Sequence, residues 1–187
     1  MSEPRIPLLP LEEAAKAAVS VGIPEPSAAA NIYRTLLHHP PLAKRVNEIV
    51  GTLMIDSEFD DRLRELIIMR IGWSHKGAYE WTHHWRIALE NGVEERDLLA
   101  VRDWTAHDHW TPEQSAVLNA TDEMLEHGSI SATTWAKCAK LFPSTRVQLE
   151  LVSTIGNWKM MSEIITSLQM PLEDGFAPWP PNGEAPA

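Results

Sequence analysis

Glu80 and His84 lie four residues apart in the stretch YEWTHHWRIALENG. On a helix, that spacing places a carboxylate and an imidazole side by side. At about 100° per residue, Ile87 and Ala88 share their face and Trp81 borders it. Such an apolar stripe normally turns toward a core, where a carboxylate is costly unless paired or protonated. A carboxylate beside an imidazole, in poor contact with water, is one way to build an acid/base pair with shifted pKa values. The plainer alternative is a partly exposed i,i+4 pair that contributes a few tenths of a kcal/mol.

Glu65 is a second chemistry candidate, because it sits in the apolar run before Leu66-Ile67-Ile68-Met69. It reads either as a proton donor or relay facing a pocket, or as an ion-pair partner of Arg62, Arg64 or Arg70. His83 completes an E-x-x-H with Glu80, the spacing used in di-iron helix bundles. No second E-x-x-H is present, so no metal is expected, and one ion held by Glu65, Glu80, His83 or His84 is the lesser alternative. His83, Trp81 and Trp85 are instead candidates for substrate contact, the two indoles as walls of an apolar pocket. His107 and His109 fall in a Trp-rich loop, and His38, His39, His75 and His127 fall at helix ends. Cys138 lies alone on a helix and reads as a small packed residue.

The elements that position these residues are all helical. Asp60–Ile71 reads as a buried helix, and Ser74–Asn91 as a second one, capped by Ser74 and stopped by Gly92. Around them the pattern predicts Leu11–Val21, Ser27–His38 capped by Ser27, Leu42–Met54 after Pro40-Pro41, and Glu94–Arg102. Further on it predicts Pro112–His127, Ser131–Leu141 and Thr145–Leu168. Asp103–Thr111 reads as a loop. Gly156 inside the last helix implies a close packing contact or a break, because glycine costs about 1 kcal/mol there against alanine. No strand alternation occurs, so the expected class is all-α with about seven or eight helices. The 187 residues are expected to form one domain, with an N-terminal arm and short helix over 1–25 and a Pro-rich tail over 176–187.

A formal charge of −10 argues against a nucleic-acid binder and against attachment to anionic lipid. No apolar run of about 18 residues is present, so no membrane span is expected. The N-terminus lacks the pattern of a signal peptide, and the single cysteine allows neither an internal disulfide nor a CxxC centre. The expectation is a cytoplasmic protein with a small-molecule substrate.

The ordered set RELIIMR (64–70), YEWTHH (79–84) and ALENGV (88–93) resembles the carboxymuconolactone decarboxylase family of the AhpD-like superfamily. LLHHPPLAKRV (36–46), DEML (122–125), SATTWAKC (131–138), QLELVSTIGNW (148–158) and LEDG (172–175) add to the likeness. It implies an AhpD-like helical bundle and a homo-oligomer, a trimer or a hexamer. In the peroxidase branch a CxxC opens the second helix; by position its thiols fall on Gly77 and Glu80, so thiol peroxidase chemistry is not expected. The decarboxylase branch is closer, through Glu80, His84 and the A-L-x-N-G at Ala88–Gly92. It implies a cofactor-free lyase acting on a small carboxylated or lactone compound from aromatic degradation, with no cofactor expected. Glu65, Glu80 and His84 would form the acid/base set: His84 gives a proton to the carbanion, Glu80 tunes the imidazole and Glu65 hydrogen-bonds to it. The alternative is a non-catalytic binding or stress-response protein that kept the fold and lost the thiols.

Overall fold

The computed structural model describes residues 3–187, so the first two residues of the expected arm lie outside it. Among the described residues the secondary structure is helical throughout, as the class expectation required. There are ten α-helices, three of which have six residues or fewer.

Helix α5 (Asp61–Ser74) is the axis of the molecule. Asp60 caps it, accepting from the backbone N–H groups of Arg62 and Leu63. Every residue from Leu63 to Met69 is buried, so the helix is enclosed on all sides rather than amphipathic. Helix α6 (Ala78–Glu90) folds back along it. Gly72 permits the approach: a Cβ there would lie 3.2 Å from the backbone nitrogen of Trp81. The expected start of the second helix was wrong. Ser74 is the last residue of α5, not a cap; the chain turns at His75–Gly77, with Lys76 at φ 55°, and Gly77 precedes α6.

Helices α8 (Pro112–His127) and α10 (Thr145–Ser167) cover the other sides of α5, and α9 (Ala132–Leu141) packs on α8. Thr111 and Gln114 form a capping box at the start of α8, and the side chain of Ser131 caps α9. Gly156 produces neither a break nor a close contact: α10 runs through it, and a Cβ there would meet nothing within 4 Å. After α7 (Glu95–Ala100), a 3-10 turn occupies Val101–Ala106, across the end of the helix expected over Glu94–Arg102 and the start of the loop expected from Asp103.

Four N-terminal helices build a second apolar cluster against Met161 of α10. They are α1 (Leu11–Val21), α2 (Glu25–Ala28), α3 (Asn31–Leu36) and α4 (Pro40–Met54). The single helix expected from Ser27 is two short ones, with Ser27 inside α2. Helix α4 opens with Pro40, and His39 Nδ1 accepts from the N–H of Leu42.

The segment after α10 has no helix but is fixed to the body. The indole of Trp81 donates to the Pro180 carbonyl at 2.8 Å, and the Trp179 N–H donates to Thr82 Oγ1 at 3.2 Å. Trp179 is buried against Trp73 and Trp81, and the Arg102 guanidinium lies over both of those rings. The Pro-rich tail is therefore part of the main core. None of the helices is long and apolar enough to cross a membrane.

Candidate active site

Glu65 on α5 and His84 on α6 meet where the two central helices face each other. Glu65 Oε2 and His84 Nδ1 are 2.8 Å apart, and Glu65 is fully buried. Its other oxygen accepts from Arg64 Nε at 3.3 Å, so the ion-pair reading of Glu65 is met by Arg64, inside the core rather than at the helix surface. Arg64 is 2% exposed and also pairs with Asp61. The other two candidate arginines are engaged elsewhere, Arg62 with Asp60 and Arg70 with Asp122.

On its far side the imidazole has two neighbours. His84 Nε2 is 3.3 Å from the indole nitrogen of Trp158 on α10, and 3.6 Å from Glu80 Oε2. With Nδ1–H given to Glu65, Nε2 of the neutral ring accepts the indole N–H. Once protonated, Nε2 becomes a donor toward Glu80 or a bound molecule. Burial pulls the His84 pKa down, but the charge and hydrogen bond of Glu65 outweigh it and raise the pKa above the usual histidine value. Burial raises the Glu80 pKa, and the nearby His84 and His83 only partly offset this. Both groups therefore hold a proton to higher pH than their ordinary counterparts.

Glu80 and His84 border a cavity of about 250 Å³. Its walls come from the N-terminal helices (Ile32, Leu36, Val46, Val50, Met54), from Ile87 on α6, and from Met161 and Ile165 on α10. Tyr79, His83 and Trp158 complete the polar edge.

His83 belongs to a second cluster. Its Nε2 lies 2.7 Å from Oε2 of Glu173, which the C-terminal segment carries in. The Tyr79 hydroxyl and the Asn31 N–H both donate to Glu173 Oε1 at 2.7 Å. Burial pushes the Glu173 carboxyl up, but these three partners outweigh it and hold its pKa down at about 2. Burial, then the Glu173 charge, pushes the Tyr79 phenol far above its ordinary value, so it acts as a neutral donor.

The sequence candidates thus separate. Glu65, Glu80 and His84 converge, and His83 reaches the same cavity through another carboxylate. Trp81 and Trp85 do not line it. They pack against each other with centroids 5.8 Å apart, and Trp81 continues into the Trp73–Trp179 cluster. The physical reason is helical phase: the two indoles form their own stripe, about 100° round α6 from Glu80 and His84. His109 pairs with Asp97, well away from this cavity, and Cys138 is buried beside the Ala116 carbonyl. Among the described residues no three His, Cys, Asp or Glu side chains converge as a metal-binding set. Sequence reasoning missed Trp158, Tyr79 and Glu173. Trp158 had a usable signal, since Leu151, Ile155 and Trp158 recur at helical spacing; Glu173 had none.

The all-helical body is similar to those of solved structures of AhpD-like proteins. An uncharacterized peroxidase-related protein from Silicibacter sp. TM1040 superposes with a TM-score of 0.74 at 14% identity, covering 94% of this chain and 97% of that one. The AhpD-core peroxidase-related protein from Ralstonia eutropha JMP134 gives 0.73 at 13%, covering 93% and 94%. The debrominase Bmp8, solved in complex with 2,3,4-tribromopyrrole, gives 0.68 at 17%, covering 93% and 94%. At such identities the likeness concerns the fold. No curated protein matches the chain. Residues 40–123, from α4 into α8, match the model of the carboxymuconolactone decarboxylase family. The segment contains Glu65, Glu80 and His84, whereas Trp158 and Glu173 lie beyond it.

Proposed function

We propose that the protein is an acid/base enzyme of lyase or isomerase type that moves a proton on a small cyclic compound held in the cavity beside His84. One observation carries this reading. His84 is fixed on one side by buried Glu65 and presents its other nitrogen, flanked by Glu80, to an apolar cavity.

The chemistry follows from the placement of the two groups side by side at the cavity. Glu80 takes a proton from a carbon next to a carbonyl, and the C–H electron pair passes to the carbonyl oxygen. The imidazolium N–H of His84 stabilises that enolate, and the charge on His84 is balanced by Glu65. The enolate then takes a proton back at carbon, from Glu80 or from His84. Two substrate types suit these steps: a lactone whose proton is shifted, and a carboxylated lactone that first loses CO2 and is then protonated. Thiol peroxidase chemistry lacks its nucleophile, because the only cysteine is the buried Cys138.

The alternative, a binding protein that has lost catalysis, called for Glu80 paired with arginine and a cavity closed by indoles. Glu80 lies beside His84 instead, and one indole, that of Trp158, touches the cavity. We also propose self-association, supported by exposed Leu42 and Met160, which border one apolar groove.

The test is deuterium exchange at the carbon next to the carbonyl of a γ-lactone in D2O, followed by proton NMR. Wild-type protein catalyses the exchange. His84→Ala and Glu80→Gln each slow it by about 10²–10⁴-fold, the range of a general acid or base. Exchange at the wild-type rate in both variants overturns the reading.

A further inference from the structure

The charges around the cavity define what it accepts. Its volume of about 250 Å³ exceeds the roughly 150 Å³ of an apolar cavity that holds benzene, so one ring with a few substituents fits. No lysine or arginine lines it. The two imidazoles at its edge are each already matched by a carboxylate, His84 by Glu65 and His83 by Glu173. The nearest buried guanidinium, that of Arg64, is engaged by Asp61 and Glu65. Glu80 adds either a negative charge or, when protonated, a single donor.

We infer that the ligand of this cavity is an uncharged ring compound that offers a carbonyl or hydroxyl oxygen, and that the site discriminates against the corresponding carboxylate. The inference rests on the acid/base reading above and sharpens its substrate. A carboxylate entering the cavity gives up its water and finds no free cation, an uncompensated cost. A carbonyl oxygen gives up little and finds the Nε2–H of His84 or the protonated carboxyl of Glu80. Apolar contact with Leu36, Val46, Val50 and Met54 supplies the remaining affinity. Of the two substrate types allowed by the chemistry, the neutral lactone is therefore the one that the cavity selects.

The test uses isosteric pairs that differ only in charge: 4-hydroxybenzamide against 4-hydroxybenzoate, and a γ-lactone carboxamide against its carboxylate. Dissociation constants are measured at pH 7.5 by ligand-observed NMR on the full chain. Each neutral member binds at least 10-fold more tightly. Val50→Arg places a cation in the wall and reverses the order. Met54→Arg is a second variant with the same expectation, and circular dichroism checks the folding of both. Equal or tighter binding of the carboxylates by wild type overturns the inference, and so does binding of neither member. These readouts involve no turnover. A carboxylate preference with deuterium exchange intact removes the ligand class alone, while neutral binding without exchange removes the catalytic reading alone.

Discussion

His83 and His84 are consecutive residues on one helix, and each holds a glutamate within hydrogen-bond distance, yet they belong to different kinds of structure. The partner of His84, Glu65, comes from the neighbouring helix in the middle of the core and has no exposure. The partner of His83, Glu173, arrives ninety residues later on a helix-free segment and is about one-fifth exposed. The first pair is fixed by the packing of α5 on α6. The second draws on the N-terminal helices as well, since Asn31 and Tyr79 share Glu173. One carboxylate fixes an imidazole inside a rigid frame, while the other ties the edge of the cavity to the C-terminal strap.

The largest test of this contrast is Glu65→Ala. It leaves Arg64 and His84 buried with one carboxylate fewer, and we expect a loss of about 3–5 kcal/mol in urea unfolding. Glu173→Ala removes a carboxylate that still has access to water, and costs about 1–3 kcal/mol by the same measurement. Equal losses would break the comparison.

The pH dependence should separate the pairs again. The raised pKa of His84 gives a contribution that is complete below the unfolded value near 6.5 and is lost as pH rises through the native value. The lowered pKa of Glu173 gives one that is complete above the unfolded value near 4.5 and is lost as pH falls toward about 2. Unfolding free energies of wild type, Glu65→Gln and Glu173→Gln across that range check both. The alkaline loss should vanish in the first variant and the acid loss should shrink in the second. The smallest effect is that of Gly156→Ala, which firms the helix carrying Trp158 without touching His84. We expect a gain of about 0.5–1 kcal/mol and unchanged exchange of the γ-lactone.

Much of the frame was legible in sequence, because caps and apolar periodicity are local. Ser131 caps a real helix, Pro40 opens one, and Pro112–His127 has the bounds its pattern predicts. Local signals also misled where tertiary packing decided the outcome. Ser74 looks like a cap, but α5 continues through it because the helix is enclosed by its neighbours. Glu80 with His84 was visible as a face, and Glu65 became convincing through the ordered family pattern. The His83–Glu173 link was not legible, since no spacing rule connects residues ninety positions apart. Trp81 and Trp85 were assigned to the pocket by proximity in sequence, although their helical phase already turned them away from it.

The strap has a consequence for how the protein is made. Glu65, Glu80 and His84 leave the ribosome long before Glu173 and Trp179, so the reacting groups can be assembled while the cavity edge is still unfinished. Arg5 ties the N-terminal arm to the end of α10, donating to the Ser167 and Leu168 carbonyls. A chain interrupted after α10 keeps its acid/base residues and lacks the carboxylate that ties His83 and Tyr79. The side of the cavity that carries His83 and Tyr79 is thus the last to gain its partner.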